Sequence, residues 1–342
     1  MRKGENKSKD KLIKLSKCSH RVIIPLFIPN EEGYYKEAFD IFIMCLTSIL
    51  KTSFSPLKVS VIDNGGCKSV HKKLLELFND NIIDELIIER ESIGKINSIL
   101  KALRTTEERL VTITDADVLF LNNWEKEVVN VFEAFPKAGM VSPVPVYRTH
   151  FRFTSNIWMR FLFSNRLQFL SVKNPEAMTR FANSIGWPWL DIKYKDVIAT
   201  LKAKNKALAV VGNAHFVGTY KREVFKKLPQ MNSKYALGGD SEELYTDLPI
   251  VKSGGYRLAT FDNFAYHMGN TSEQWMVEEF ENLKEEVKIF KDFENLQKLR
   301  RGSLQYFLSE KIFKKIFTIK SFKRMIFKRK GLNKEQISNY TT

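Results

Sequence analysis

The stretch that decides the fold is Leu110-Val111-Thr112-Ile113-Thr114-Asp115-Ala116-Asp117. Its first five residues predict a strand buried inside a parallel sheet, and two carboxylates follow directly. Ligands of open α/β sheets bind beyond the carboxyl ends of the strands, and carboxylate oxygens suit Mg²⁺ or Mn²⁺. Because an Asp-x-Asp alone is more often a solvated turn, the rest of the chain has to support the metal interpretation.

Upstream of this stretch, short apolar runs alternate with longer segments of helical periodicity. The predicted strands are residues 21–28, 57–62 and 85–88, and the predicted helices are residues 35–50, 69–78 and 92–103. Strands that alternate with helices of this length indicate βαβ units. The predicted fold is therefore α/β and Rossmann-like, with a mostly parallel sheet flanked by helices.

Downstream, the alternation stops between residues 151 and 190, where aromatic and basic residues are interleaved and include Trp187 and Trp189. Further strands are predicted at 139–144, 207–212, 216–220, 256–259 and 264–267. Residues 273–299 are predicted to form one or two charged helices. We expect three regions: a basic flexible segment over 1–20, the α/β domain over 21–290 with an aromatic-rich insertion at 151–190, and a basic helical extension over 291–342.

Composition indicates a globular protein, since 44% of its 342 residues are hydrophobic. The three cysteines, Cys18, Cys45 and Cys67, are odd in number and lack metal-ligand spacing, which favours free thiols in a reducing compartment. No window of 18 or more apolar residues predicts a spanning helix, and the polar N-terminus lacks the apolar core of a signal peptide. We therefore expect a cytoplasmic protein.

The net charge of +16 is concentrated at the two ends of the chain. Residues 1–20 carry +5 and residues 311–330 carry +9, so the middle is nearly neutral. A nucleic-acid-binding module would carry its charge on the folded face. Because the middle of this chain is nearly neutral, nucleic-acid binding is the weaker alternative, and we expect no nucleic-acid partner. Basic ends beside a neutral body suit an anionic membrane surface better, and we expect peripheral binding at the inner membrane face.

The segment 311–330 predicts an amphipathic helix, because its apolar residues are spaced by three and four and lysines fill the remaining surface. Such a helix either lies on a membrane or packs on the body of the protein with its lysines in water. The apolar residues of the predicted face are Ile312, Phe313, Ile316, Phe317, Ile319, Phe322, Met325 and Ile326.

Four features join the Asp pair as candidate site residues. Asp63 follows the second strand and either accepts from a nucleobase or a ribose hydroxyl or forms an ordinary turn. Gly94, Lys95 and Asn97 open the third helix, where the helix N-terminus favours a phosphate, although a solvated lysine is the alternative. The acidic loop and His267 complete the set. The loop offers Asp240, Glu242 and Glu243 as candidate general bases, although solvated acids are the alternative. His267 is a candidate metal ligand, and a structural histidine is its alternative.

Over roughly residues 21–270 the chain resembles family 2 glycosyltransferases of the GT-A fold. The resemblance rests on the opening strand ending at Pro25, on Asp63, on the Gly94-Lys95 helix start, on Asp115-Ala116-Asp117, and on later segments at 212–225 and 240–258. The opening loop differs, because Phe27-Ile28-Pro29-Asn30 replaces the more common tyrosine and asparagine. The acidic loop also differs in order, so the base stays open among Asp240, Glu242 and Glu243.

The resemblance implies a metal-dependent, inverting glycosyltransferase that uses a nucleotide-diphosphate sugar donor and a glycan or lipid-linked acceptor, in cell-surface polysaccharide or glycolipid synthesis. Asp115, Asp117 and His267 would hold Mn²⁺ or Mg²⁺. A nucleotidyltransferase is the other alternative, but the loop after its first strand would be glycine-rich and basic, and here that loop is acidic. The expected substrate-binding residues are Pro25, Asn30, Asp63, Gly94, Lys95, Asn97, Asp115, Trp187 and Trp189.

Overall fold

The computed structural model describes residues 4–5, 8–12, 18–147, 149–186, 195–239, 241–300 and 302–341. Its strands are β1 His20–Leu26, β2 Lys58–Asn64, β3 Glu85–Glu89, β4 Leu110–Thr114, β5 Val118–Phe120, β6 Ala138–Ser142, β7 Leu167–Ser171, β8 Val197–Lys202, β9 Leu208–Val211, β10 Val217–Lys221, β11 Tyr256–Thr260 and β12 Ala265–His267.

The helices lie between and after these strands, and two π-helical segments, Glu243–Asp247 and Phe307–Phe313, continue directly into helices. The α-helices are α1 Ala38–Thr52, α2 Lys68–Asn79, α3 Lys95–Thr105, α4 Trp124–Ala134, α5 Ser155–Phe161, α6 Pro175–Ser184, α7 Leu248–Lys252, α8 Gln274–Glu281, α9 Ser303–Tyr306, α10 Lys314–Phe317, α11 Lys320–Arg329 and α12 Lys334–Thr341. None of these described helices is long and apolar enough to cross a membrane.

Within the described residues, one ten-stranded sheet has the order β3-β2-β1-β4-β10-β6-β11-β9-β8-β7. The half from β3 to β4 is parallel, as the alternating pattern predicts. Beyond it, β10 runs antiparallel between β4 and β6, β11 is parallel to β6, and β9, β8 and β7 continue antiparallel. A separate ribbon pairs β5 with β12. The predicted α/β architecture of a sheet flanked by helices is confirmed, and its first four strands in the sheet order are parallel.

Both faces of β1, β2 and β4 are largely buried, which explains their near-continuous apolar runs, whereas the edge strand β3 is partly exposed. Along β1, Val22 and Ile24 pack with α1 on one face, whereas Ile23 packs with Ile96 and Ile99 of α3 on the other. All three β1 side chains are fully buried. The sheet therefore lies between two helical layers, and polar residues lie at its carboxyl edge.

A buried polar network joins the start of the sheet to α4. His20 contacts Glu125 with Nδ1 at 2.6 Å and Thr112 with Nε2 at 2.8 Å, and all three residues are buried. Glu125 also accepts from the backbone N–H groups of Phe54 and Ser55, each at 2.9 Å. Burial opposes the charge of Glu125, but His20 and Ser55 outweigh it and lower the pKa of this carboxyl.

The prediction of helices across residues 273–299 is wrong after Glu281, because helix α8 ends there. Backbone groups of this charged segment bond to the body of the protein. The Glu286 N–H donates to Lys51 O at 2.9 Å, and the Ile289 N–H donates to Phe54 O at 2.7 Å. The segment before 187 is more regular than predicted, since it contains α5, β7 and α6.

The C-terminal helices form as predicted, but their apolar residues divide between two faces. Phe313, Phe317 and Ile326 are buried, and Phe317 contacts Phe151 and Trp158 at ring distances of 5.3 Å. The prediction of one broad apolar face over residues 312–326 is therefore wrong, because part of that face packs on the body of the protein and the rest is exposed. The apolar residues that remain exposed along these helices are Leu304, Phe307, Leu308, Ile312, Ile316, Ile319 and Met325.

Candidate functional site

The carboxyl ends of β2 and β4 and the start of α3 meet at one edge of the sheet. Asp63 is a residue of β2, and Asp115 and Asp117 follow β4. Asn64 links the end of β2 to the segment just before α3, because its Oδ1 accepts from the Ile93 N–H at 2.8 Å. The expected donor-side residues therefore share one surface, as parallel topology requires.

His267 lies beside Asp117 because strand β12 pairs with β5. The Met268 N–H donates to Asp117 O at 2.8 Å, and His267 is opposite Val118 in the register. This pairing brings His267 Nε2 to 3.4 Å from Asp117 Oδ2. Residues 150 positions apart in sequence thus form a carboxylate–imidazole pair.

Ser184 at the end of α6 fixes the orientation of the His267 ring. Its hydroxyl donates to Phe181 O at 2.8 Å and lies 3.0 Å from His267 Nδ1. Because the hydroxyl proton points to Phe181, the oxygen accepts the proton of Nδ1. A neutral His267 then presents the unprotonated Nε2 to Asp117, which is the form that binds metal. No motif or spacing in the sequence pointed to Ser184.

Asp117 and His267 fit a divalent cation. Asp117 Oδ1 is buried and has no hydrogen-bond partner among the described residues, and burial raises the pKa of this carboxyl. A carboxylate oxygen that faces an imidazole lone pair at 3.4 Å gains stability when a cation lies between them. The described residues contain no cluster of three or more His, Cys, Asp or Glu side chains in metal-binding geometry, so Asp115 is not a third ligand in this arrangement.

Asp115 instead pairs with Lys95. The Lys95 Nζ lies 2.5 Å from Asp115 Oδ1 and 3.6 Å from Glu242 Oε1. Burial opposes the charge of Lys95, but Asp115 and Glu242 outweigh it and raise the pKa of the ammonium group. One cation thus joins the Asp-x-Asp turn to the acidic segment.

Asp63 is fully buried and forms the turn that one interpretation of its motif predicts. Its Oδ1 accepts from the Gly66 N–H at 2.7 Å, as the turn interpretation expects. Its Oδ2 has no hydrogen bond among the described residues and lies 3.0 Å from His71 Nε2. Burial raises the pKa of Asp63, against the opposing effects of Gly66 and His71.

The loop before the acidic segment covers the start of α3. The Lys95 backbone N–H donates to Ala236 O at 2.9 Å, and the Asn97 side chain exchanges hydrogen bonds with the backbone of Ser233. A Cβ at Gly94 would lie 2.8 Å from Tyr235 O, and Gly94 also has φ +89°. Gly94 and Asn97 therefore hold this loop against the start of α3.

The other expected residues lie at the rim or outside the described chain. Pro25 is half-buried in β1, and Asn30 is exposed, with its Oδ1 accepting from the Glu32 N–H at 3.1 Å. Trp187, Trp189 and Asp240 lie outside the described residues.

Of the two described acids of the loop, Glu242 faces Lys95, whereas Glu243 pairs with Arg152 at 2.9 Å.

Asp247, four residues after Glu243, was not among the residues predicted from the sequence. It is fully buried, 2.9 Å from the buried Arg257 and 3.3 Å from His215. Burial raises the pKa of Asp247 to about 7 despite Arg257. No local spacing pointed to Asp247, because its surroundings are formed by Arg257 and His215 on other elements.

The chain was compared with curated proteins, with solved structures and with protein-family models. No curated protein matches the chain. Among solved structures, the mannosyltransferase PcManGT from Pyrobaculum calidifontis in complex with GDP-Man and Mn²⁺ is similar at 19% identity and a TM-score of 0.38, over 72% of this chain. The match spans 55% of that protein, about half of its length.

The family described as glycosyl transferase family 2 matches residues 34–228, more than half of the chain. The matched range contains Asp63, Lys95, Asp115 and Asp117 and ends before the acidic loop and His267. The chain therefore belongs to glycosyl transferase family 2.

Proposed function

We propose that the protein is a metal-dependent, inverting transferase that moves a sugar from a nucleotide-diphosphate sugar to an acceptor hydroxyl. The observation that carries the proposal is the Asp117–His267 pair, at 3.4 Å, beside the Lys95 cluster at the carboxyl edge of the sheet. Both lie where an α/β sheet of this type binds ligands.

Asp117 and His267 would hold Mn²⁺ or Mg²⁺, and Asp115 would join them after releasing Lys95. The bound ion supplies charge neutralisation at the leaving diphosphate. Lys95, once released, is placed to contact a phosphate oxygen itself, since its ammonium lies between Asp115 and Glu242. On donor binding, the ion pair between Lys95 and Asp115 would thus be replaced by a contact of Lys95 with a phosphate and a contact of Asp115 with the metal ion.

Asp63 would bind the base or ribose. Its Oδ2 is a buried acceptor without a hydrogen bond among the described residues, which suits a nucleobase imide N–H or a ribose hydroxyl. His71, 26% exposed, would move aside or share the contact. The neighbouring residues Pro25 and Asn30 would line the same side.

The general base would be Glu242 or Asp240. Glu242 is favoured over Glu243 because it already shares Lys95 with the Asp-x-Asp turn, whereas Glu243 is held by Arg152. The base accepts the hydroxyl proton as the acceptor oxygen forms a bond to the anomeric carbon. The bond to the diphosphate breaks on the opposite face, which inverts the configuration at that carbon.

The acceptor would be a glycan or lipid-linked sugar in cell-surface polysaccharide or glycolipid synthesis, bound near Trp187 and Trp189. A place at the inner face of a membrane is supported by the exposed side of the helices from 303 to 319. There Leu304, Leu308, Ile312 and Ile316 recur every four residues, next to a row formed by Phe307, Lys311 and Lys315. An apolar row beside exposed lysines is typical of an interfacial helix.

The donor proposal is tested by incubating the protein with Mn²⁺ and UDP-, GDP- and TDP-linked sugars, with a CMP-linked sugar as the contrast. We expect one diphosphate donor to raise Tm and to be hydrolysed slowly without an acceptor. Absence of stabilisation and hydrolysis with every diphosphate donor would contradict the proposal. The anomeric configuration of the product, observed by NMR, then tests inversion.

A further inference from the structure

A cavity lies at the end of the sheet opposite the candidate donor site. This cavity of about 510 Å³ opens beside the amino-terminal ends of β6 and β11 and the end of α4. The donor site lies at the carboxyl ends of the parallel strands, so this cavity is not part of it. Four cations line the cavity: Lys137, Arg160, Arg166 and Lys204.

These cations have no acidic partner within 4 Å in the part of the chain that the structure describes. Lys137 Nζ donates to Gln305 Oε1 at 3.3 Å, and Arg166 Nε donates to Lys202 O at 2.7 Å. The one acid of the lining, Glu133, is paired with Lys291 at 2.9 Å. Burial and the nearby Arg160 lower the pKa of Lys137, as expected for a cation beside another cation.

Tyr256 supplies a buried donor to the same cavity. The residue is 3% exposed, lines the cavity, and its hydroxyl has no hydrogen-bond partner among the described residues. Leaving such a group unsatisfied costs about 1–3 kcal/mol in general, which a bound acceptor would recover. Burial raises the pKa of Tyr256 to about 12, against Arg160 and Arg166, so the hydroxyl remains a donor.

We propose that this cavity binds a phosphate group through Arg160, Arg166, Lys137 and the Tyr256 hydroxyl. Two guanidinium groups and a hydroxyl donor match the oxygens of a phosphate mono- or diester. Gln305, the partner of Lys137, belongs to α9, which also carries the exposed Leu304. The phosphate of a lipid headgroup would therefore lie beside the apolar row of the C-terminal helices. A free phosphorylated metabolite offers the same chemistry.

The test measures binding to the full-length protein by calorimetry with inorganic phosphate and glycerol phosphate, and by flotation with vesicles of phosphatidylglycerol or phosphatidylcholine. The double variant Arg160→Gln with Arg166→Gln should weaken phosphate-group binding at least about tenfold. Arg90→Gln with Arg104→Gln, the same charge change at exposed positions on other elements, should leave it unchanged. Saturable binding in solution identifies a free phosphate compound, and binding to phosphatidylglycerol vesicles alone identifies a lipid headgroup.

Tyr256→Phe separates binding from a structural role. It should weaken binding while leaving Tm unchanged or higher, because it removes a buried unsatisfied hydroxyl. The proposal is overturned if neither soluble probe nor vesicle binds saturably, or if the control double variant loses as much affinity as the cavity variant. Donor hydrolysis measured on the same samples shows separately whether the transferase site is intact.

Discussion

At the residue scale, Ser184 determines which nitrogen of His267 faces Asp117. Its hydroxyl accepts from Nδ1 because its own proton is donated to Phe181 O. Outer-shell partners of this kind typically change metal affinity by about 10–100-fold. Ser184→Ala should therefore weaken Mn²⁺ binding about tenfold, measured by calorimetry or by the electron paramagnetic resonance of free Mn²⁺.

The matched control is Thr179→Ala on the same helix. The hydroxyl that it removes donates to Pro175 O and has no contact with His267 among the described residues. Equal affinities for Mn²⁺ in the wild type and Ser184→Ala would show that Ser184 does not orient the ligand. Unchanged Tm in both variants would confirm that the helix itself is intact.

Asp247 should make the stability of the fold depend on pH. Its pKa is raised to about 7 from 3.8 by burial, so the folded state holds a proton that the unfolded state has lost between these values. The contribution of Asp247 therefore favours folding at acidic pH and declines as pH rises to 7. The decline is about 2 kcal/mol between pH 5 and pH 7.

Asp247→Asn cannot titrate and should lack this component. Urea unfolding of the wild type and the variant at pH 5 and pH 7 gives the comparison, with Asp80→Asn at an exposed position as the control. If the wild type and Asp247→Asn lose the same stability over this interval, the buried carboxyl does not titrate there. A matched loss in Asp80→Asn and the wild type is expected.

At the scale of elements, Glu125 ties α4 to the sheet and to the loop before β2. It accepts from His20, from two backbone N–H groups and from the Ser55 hydroxyl. Glu125→Ala leaves these donors buried without a partner and should cost about 3–5 kcal/mol of stability. Glu133→Ala removes a solvent-exposed ion pair on the same helix and should cost less than about 1 kcal/mol. Chemical unfolding measures both, and similar losses would contradict the account of the network.

The parallel half of the sheet could be predicted from the sequence because each strand there is an apolar run followed by a helix. The antiparallel strands could not be ordered, since β10 enters between β4 and β6 through contacts distant in sequence. Residues 282–299 show the limit of helical periodicity. Their charged pattern is compatible with a helix, but backbone bonds to Lys51 and Phe54 hold them against the body.

The site was predictable wherever one short motif carries it. The Asp115–Asp117 turn and its neighbour Lys95 lie together as expected, and the pairing of β5 with β12 brings His267 to Asp117. Asp247, Arg257 and Ser184 act through packing between distant elements, which no local spacing encodes. The exchange of hydrogen bonds between Asn97 and Ser233 likewise depends on a loop 136 residues away.

At the scale of the whole molecule, the lysines of the C-terminal helices lie in two different environments. Lys330 is buried and donates to Phe161 O and Ser164 O at 2.8 and 2.7 Å, so part of the charge holds the fold together. Lys311 and Lys315 are exposed beside the apolar row of the helices from 303 to 319. This division separates the helical face that packs on the body from the face proposed to bind a membrane.

Ile312→Asp with Ile316→Asp should reduce flotation with phosphatidylglycerol vesicles at least about tenfold, because two exposed apolar side chains no longer enter the interface. Leu75→Asp with Phe78→Asp on α2 changes two similarly exposed apolar residues and should leave flotation unchanged. Sedimentation of the protein without lipid tests the alternative that this face binds a second copy of the chain. A dimer that Ile312→Asp with Ile316→Asp dissociates would show that the face binds a second copy instead of a membrane.

Asp117 and His267 are proposed to hold the metal ion that sugar transfer requires. The most direct measurement is kcat/KM for the preferred nucleotide-diphosphate sugar as a function of Mn²⁺ concentration, in the wild type and in Asp117→Asn. Activity of the wild type should saturate with Mn²⁺, disappear with a chelator and return when the ion is restored. Asp117→Asn should lose at least about 100-fold, the scale of one electrostatic contact to the leaving group. Full activity of Asp117→Asn, or wild-type activity that a chelator leaves unchanged, would contradict the account.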